Sequence, residues 1–416
     1  MIFNKYFIFG IIFTEILLLV GVRLIYWGSV NEIPFSDMAD YIRWGQSFAV
    51  GDWMLEGQFW GGYKPPGVPL LYAGMFFLSG GFDLDHLRWM QLLIFVLCLA
   101  FLSWQLVRDS GSLLTGMLLI LVVAFTKSSV FWSYKLGTET LSESMLYLSL
   151  GVVMWVSRES CNAYRYIVLA LVTTFATFVR PNSLPLIGVL LLFPLISAFR
   201  LEKMRALRCL VTYILSVVFF WGPWVVRNYE YCGQFVPLST QGPYTFLWEL
   251  GDVNLTDSVG RKVSVHVNQL QAEAPKKFAN DCQASQHAMV LVKYWIQENI
   301  KNYPELVIRR LGRFVTERQI DLTSISRTQL HPLLDVLLFD KGEGQIVFAT
   351  VIALALSFFY TWVRIISISL AASLIFSALF LGDARMFEPY IPLFLFVGLA
   401  PIIPLWQWIQ RRSHII

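Results

Sequence analysis

The chain is short of charge, of histidine and of the patterns that mark soluble catalysis. Only 14% of its 416 residues are charged, and the net charge is +4. That excess is too small to argue for nucleic acid as a partner. The five histidines are scattered (His86, His266, His287, His331, His414) and show no zinc spacing. No P-loop is present, which argues against ATP-driven transport. No Gly-x-Ser-x-Gly elbow supports serine hydrolysis. Internal repeats and low-complexity tracts are absent. Cysteine is sparse too. Cys98, Cys161 and Cys209 read as ordinary buried or reduced thiols in or beside membrane or cytoplasmic segments. Cys232 and Cys282 fall in the largest polar stretch, where thiols can oxidise, and the sequence leaves open whether they join.

Apolar length takes the place of charge. Hydrophobic residues make up 56% of the chain, the balance of a polytopic membrane protein. The opening "MIFNKYFIFGIIFTEILLLVGVRLIYW" is long enough to span a bilayer, and no small-residue cleavage site follows it. It therefore reads as a first transmembrane helix. Glu15 inside it is costly in lipid and is expected to face the protein interior, satisfied by a neighbouring helix. Further spans are expected at about 87–107, 112–127, 137–156, 165–180, 183–199, 208–226, 345–363, 365–382 and 388–408,.

Basic loops set the orientation. "FRLEKMRALR" (199–208), "RESCNAYR" (158–165) and the tail with Arg411 and Arg412 go to the cytoplasmic side, as do both termini. The helix count then closes only if Gly67–Gly81, which follows Pro65-Pro66, lies in the interface rather than crossing. The expected architecture is an all-α helix bundle of about ten transmembrane helices with a small mixed extracytoplasmic domain. Its parts are an N-terminal module 1–226 with an outer loop 28–86, an outer domain 227–344, and C-terminal helices 345–416. In the outer domain "VSVHVNQL" has β-like alternation, while "AMVLVKYWIQEN" and "YPELVIRRLGRFV" read as two helices. The second is basic enough to lie on anionic headgroups.

The outer loop carries the chemistry. In "FSDMADYIRWGQSFAVGDW", Asp37 and Tyr41 are four apart and share a helix face, with Asp40 on the same side,. Phe35, Trp44, Phe48 and Trp53 suit rings at the headgroup level. Downstream, "GGYKPPG" sets Tyr63 and Lys64 beside stiff prolines. Glu139 begins a span, and Arg180, Arg227 and Arg385 sit at expected outer ends of helices, where a cation can meet a phosphate.

These stretches resemble the integral-membrane glycosyltransferases that use polyprenyl-phosphate sugars, the GT-C type that includes the protein O-mannosyltransferases and the lipid A aminoarabinose transferase. An Asp four residues before a Tyr, then "GDW" and "YKPPG", is similar to their first outer loop. "GTETLSESMLYLSL" resembles their Thr-Glu signature and "FATFVRPNSLPL" their Arg-Pro pair. "WGPWVVRNYEYCGQFVPLSTQGPY" is similar to their passage into the outer domain. "ENIKNYPELVIRRLGRFV" and "DARMFEPYIPLFL" resemble their later segments. The resemblance implies inversion at an anomeric carbon with a lipid phosphate leaving. It implies Asp37 as base, Lys64 and Arg385, with Arg227, as phosphate contacts, and Tyr41, Tyr63, Asp40, Glu139 and Arg180 as substrate-binding residues.

The same resemblance implies a polyprenyl-phosphate-linked sugar donor and an envelope lipid, glycan or protein acceptor. The implied place is a bacterial inner membrane with the site facing the periplasm. There is one departure. The aminoarabinose transferase has an acid and an arginine between the aspartate and the tyrosine, where this chain has Met38 and Asp40. No metal is expected to be obligatory, although Mg or Mn could sit between Asp37 and Asp40, since both prefer oxygen ligands. Two other readings stand beside this one. A polysaccharide polymerase or ligase also has a long outer loop, but clusters its arginines in late loops. A transporter or flippase would place several ionisable groups near the bilayer midplane.

Overall fold

A computed structural model of the chain describes residues 5–30, 33–158, 162–248, 250, 253–256, 262–265, 267–316, 337–338, 343–380 and 384–413. Helix dominates, as it must where lipid offers no partner for a backbone N–H or C=O. The first half runs α1 (Lys5–Ser29), α2 (Asp37–Ala49), α3 (Gly67–Ser79), α4 (Leu84–Ser110), α5 (Leu113–Phe125) and α6 (Lys127–Trp132). It continues with α7 (Glu139–Ser157), α8 (Ala163–Val179), α9 (Leu184–Leu201) and α10 (Lys203–Cys232).

The polar region follows. It comprises α11 (Gly242–Trp248), a hairpin of β1 (Val253–Thr256) and β2 (Lys262–Val265), α12 (Val267–Lys277), α13 (Asp281–Asn299) and α14 (Tyr303–Thr316). The hairpin is antiparallel, with Val253 opposite Val265. The chain returns through α15 (Glu343–Ser357), α16 (Thr361–Phe380), α17 (Ile391–Leu399) and α18 (Ile402–Ser413).

Among the described residues, six helical stretches are long and apolar enough to cross a membrane: Gly10–Ser29, Leu84–Ser110, Glu139–Ser157, Lys203–Cys232, Thr361–Phe380 and Glu388–Gln407. Shorter apolar helices include α3, α5, α8 and most of α9. At 1.5 Å per residue α3 reaches only about 20 Å, short of a hydrocarbon core of about 30 Å.

Small residues let the helices close on one another. A Cβ on Gly151 would lie 2.7 Å from the Phe101 ring, and one on Gly116 would lie 2.7 Å from Val107, so α4 rests directly on both α7 and α5. Around these contacts runs the main core, from Leu99, Leu102 and Leu106 on α4 through Leu146, Leu150 and Val153 on α7 to Ile366 on α16. A second core joins the acidic loop to the polar region. It holds Trp44, Phe48, Leu55 and Tyr63 with Phe178, Trp224, Tyr244, Leu247, Ala284 and Ala288. The loop is thus built into the molecule from two sides.

Several local expectations change. Trp44 and Phe48 are 1% and 2% exposed and belong to that second core, while Phe35 and Trp53 remain outside. Burying rings between α2 and α10 removes more apolar area from water than resting them at an interface. "VSVHVNQL" divides, since β2 ends at Val265 and α12 begins at Val267. Glu15 faces inward as expected, but its Oε2 has no hydrogen-bond partner among the described residues.

The basic helix α14 does not offer all its cations to lipid. Arg310 turns inward and donates to the carbonyls of Ala378 and Leu379, capping the end of α16,. Cys98 is free and buried, and Cys232 is joined to Cys282. Cys209, expected as a thiol, is disulfide-bonded. Residues 159–161, with Cys161, lie outside the described residues, as do 317–336 of the expected outer domain, with His331, and 381–383.

Gly67 and Gly74 on α3 give a paired test. A Cβ on Gly67 would lie 2.4 Å from the Val179 backbone nitrogen, whereas Gly74 has open space around it. Gly67→Ala is expected to cost about 1–3 kcal/mol or more, because backbone cannot move aside. Gly74→Ala is expected to be neutral or stabilising by up to about 1 kcal/mol. Thermal unfolding in detergent distinguishes them, and equal melting temperatures would contradict this packing.

Candidate active site

Asp37 is the first residue of α2, where its carboxylate meets the positive end of the helix dipole,. Ser36 before it sits at φ 51°, a left-handed conformation costly outside glycine,. Such strain persists only where the surroundings over-determine it. Lys64 comes from the loop between α2 and α3. It is 2% exposed, lies over the rings of Tyr41 at 5.6 Å and Tyr63 at 5.0 Å, and donates to Asp37 Oδ1 at 2.5 Å. An ammonium between two aromatic faces is attracted by the negative face of each ring.

Three distant parts of the chain complete the site. Arg385 faces Asp37 Oδ2 at 3.9 Å through Nη1, and its Nε donates to Glu139 Oε1 at 2.5 Å. Arg180 Nη2 approaches the same Glu139 oxygen at 3.4 Å. The Arg385 guanidinium also lies 4.9 Å over the Trp132 ring. Glu139 and Arg180 are 2% and 4% exposed. Even so, Glu139 Oε2 and Arg180 Nη1 have no hydrogen-bond partner among the described residues. Three cations meet two carboxylates here, which leaves one positive charge in excess.

These groups open into a cleft of about 210 Å³, whose lining includes Asp37, Tyr41, Glu139, Arg180 and Arg385. The Glu139 carboxylate beside it holds the Arg385 guanidinium above the usual arginine range, so it stays charged. Burial, with Asp37 beside them, raises both the Tyr41 and Tyr63 phenols above the ordinary tyrosine range, so neither acts as a base near neutral pH.

Asp40 does not join this cleft's lining. Its Oδ1 accepts from Arg43 at 2.7 Å, and burial raises its carboxyl. Both Asp37 oxygens already face cations, and among the described residues no group of three or more His, Cys, Asp or Glu could hold an ion. As placed, Asp37 and Asp40 do not fit a divalent cation.

Arg227 also stands apart. Its guanidinium donates to the carbonyls of Trp53 at 3.0 Å, Met54 at 3.3 Å and Gly61 at 2.9 Å, and to Asn228 at 3.1 Å. It is a fork gripping the backbone that leads to Lys64.

The grip continues in the polar region. Asp281 Oδ2 accepts from the Gly62 amide at 3.0 Å and from Thr240 Oγ1 at 2.7 Å, and the Thr240 amide donates to the Gly62 carbonyl at 2.9 Å. The Gly61 amide donates to the Tyr231 hydroxyl at 3.1 Å. The Cys232–Cys282 bond ties the same helix ends together. A Cβ on Gly61 would strike the Tyr231 ring at 2.9 Å, which explains a glycine there.

Sequence reasoning missed Asp281, Tyr231 and Thr240, because a loop's anchors carry no motif. It also missed Gln241, Thr245 and Trp248, which line the cleft from the polar region. The Gly-Pro that starts α11 is their only local signal.

No family model and no curated protein matches the sequence. In structure, the chain is similar to the oligosaccharyltransferase of Archaeoglobus fulgidus. Its apo form aligns over 99% of this chain and 52% of that one, at a TM-score of 0.56 and 10% identity. The same enzyme tethered to an acceptor peptide containing the NVT sequon aligns over 97% and 50%, at 0.51 and 9% identity. ArnT from Cupriavidus metallidurans bound to undecaprenyl phosphate aligns over 89% and 77%, at 13% identity and a TM-score of 0.43, too low to argue from. The chain spans about half the length of the archaeal enzyme. Its fold is that of the GT-C type membrane glycosyltransferases, multi-pass and helical.

Asp281 gives the junction a pH dependence. Burial pushes its carboxyl up to about 6. Folding therefore favours the protonated form, and that stabilisation is complete below the unfolded value near 4 and lost as pH rises through about 6. Stability should fall by an amount on the order of 2 kcal/mol between about pH 4 and pH 6, and the melting temperature with it. Asp281→Asn, whose amide oxygen can still accept from Gly62 and Thr240, should flatten that slope. An unchanged slope in the variant would contradict the assignment.

Proposed function

We propose that the chain is an inverting glycosyltransferase that moves a sugar from a polyprenyl-phosphate donor to an extracytoplasmic acceptor. The observation that carries this reading is the convergence of Asp37, Glu139, Arg180 and Arg385 on one cleft, with Lys64 paired to Asp37 behind its lining. They come from α2, the loop before α3, the start of α7, the end of α8 and the turn before α17. The likeness in fold to an oligosaccharyltransferase supports glycosyl transfer as the class of reaction.

Asp37 is the base. An acceptor hydroxyl attacks the anomeric carbon, its proton passes to the Asp37 carboxylate, and the bond to the phosphate oxygen breaks with its electron pair. The new negative charge falls to Lys64 and Arg385, fixed cations in a site of low water content. These same two cations face Asp37 in the structure. A donor phosphate takes them over and leaves the carboxylate free, so donor binding itself activates the base. Arg227 keeps Lys64 in place through the loop backbone rather than meeting the phosphate. No step is routed through a metal.

The membrane is proposed to be a bacterial inner membrane, with both termini cytoplasmic and the cleft facing the periplasm. The basic run 199–208 at the far end of α10 from the cleft supports this orientation,. The cysteines do not decide it, because Cys209 near one end of α10 and Cys232 at the other are both oxidised.

Transfer of radiolabelled sugar from polyprenyl-phosphate donors in native membranes tests the reading. Asp37→Asn at equal expression should lower the rate by about 10²–10⁴-fold, the usual contribution of a general base. Lys64→Ala should also weaken use of the donor. Normal transfer by both variants would bring the polymerase and transporter readings forward.

A further inference from the structure

The cleft has a second wall without charge. Gln241 precedes α11, and its carbonyl accepts from the Thr245 amide at 3.0 Å. Gln241, Thr245 and Trp248 therefore follow one another at helical spacing and share the face that lines the cleft,. The opposite side of α11 is spent on the second core, where Tyr244 and Leu247 are both 0% exposed. Trp248 is held by its indole N–H, which donates to Asn268 Oδ1 at 2.9 Å. Across the cleft lie Glu139 Oε2 and Arg180 Nη1, buried and without partners among the described residues. A carboxylate oxygen and a guanidinium nitrogen left dry call for hydrogen bonds from a ligand.

Such a set is chemically specific. A phosphate needs cations, and the α11 wall has none. An apolar chain needs no glutamine, threonine, carboxylate or guanidinium. A carboxamide, a hydroxyl, an indole and two unsatisfied ionic atoms suit a ring that carries several hydroxyls and has one apolar C–H face.

We propose that Gln241, Thr245 and Trp248, together with Glu139 and Arg180, form the subsite for the donor's sugar. This rests on the reading of the cleft as a lipid-phosphate site. Gln241, Thr245 and Trp248 are the specificity-determining residues. Lys64 and Arg385 hold the phosphate of any donor alike.

Binding of lipids to the purified protein in detergent separates the two claims. The probes are bare undecaprenyl phosphate and undecaprenyl phosphate carrying glucose, galactose, mannose, N-acetylglucosamine or aminoarabinose. Wild type should bind at least one sugar-loaded lipid more tightly than the bare phosphate. Gln241→Leu and Thr245→Val, which preserve shape and leave Tyr244 and Leu247 alone, should bind the bare phosphate normally. Each should lose about threefold to tenfold in affinity for the preferred sugar-loaded lipid, the weight of one neutral hydrogen bond.

Normal binding of the bare lipid also shows that these variants are folded. The subsite is overturned if no sugar-loaded lipid outbinds the bare phosphate in wild type, or if the variants keep the full preference. It is also overturned if donor affinity is unchanged while only the Michaelis constant for acceptor rises, which would make this the acceptor's wall. Failure of the underlying cleft reading looks different: Lys64→Ala would then bind bare undecaprenyl phosphate as wild type does.

Discussion

The structure turns on one ion pair, Lys64 with Asp37, 2.5 Å apart, with Asp37 on the wall of the cleft. Lys64 is almost fully buried, and a buried ammonium survives only with a partner and polarisable surroundings. Tyr41, Tyr63 and Asp37 supply both. A pair so placed contributes little net stability, because desolvation cancels most of the attraction. Its value lies in being exchangeable. In the mechanism proposed above, an incoming phosphate offers Lys64 and Arg385 a stronger anion, and the carboxylate it displaces is left beside the reacting centre without its counter-charge.

That exchange needs a rigid frame. Lys64 sits on a loop, which by default would be mobile. Here Arg227 holds three of its carbonyls, Asp281 and Tyr231 hold Gly61 and Gly62, and Pro65-Pro66 stiffen the exit. Two non-glycine residues in left-handed conformations, Ser36 and Leu55, lie on this stretch, and the surrounding bonds keep them there. On the other side, Arg310 caps α16 and Phe314 stacks on Phe387 at 6.2 Å, bracing the turn that bears Arg385. The outer region therefore serves the site as a clamp as well as a wall.

How much of this the sequence discloses follows from range. The hydrophobic runs place the helices, since lipid forces a long apolar stretch to be helical. A helix lies over each expected span. The pairing of Asp37 with Tyr41 and the prolines beside Lys64 are local patterns, and local patterns are readable. The partners of Glu139 are not, because Arg180 and Arg385 reach it from 41 and 246 residues away. Arg227 was misplaced for a related reason. A cation at a helix end looks the same in sequence whether it meets a phosphate or three carbonyls. Trp44 and Phe48 looked interfacial because composition does not tell a membrane surface from a core made with α10 and α11. The cleft wall on α11 was silent, since its residues gain meaning only from what they face.

The central claim is that Asp37 and a donor phosphate compete for the same cations. The measurement that tests it most directly is the affinity of purified wild type and Asp37→Asn for bare undecaprenyl phosphate. Removing the carboxylate's charge frees Lys64 and Arg385, so the variant should bind the lipid phosphate more tightly than wild type while failing in transfer. Weaker binding by Asp37→Asn would mean that Asp37 only holds the loop together, and the exchange at the heart of this mechanism would be wrong.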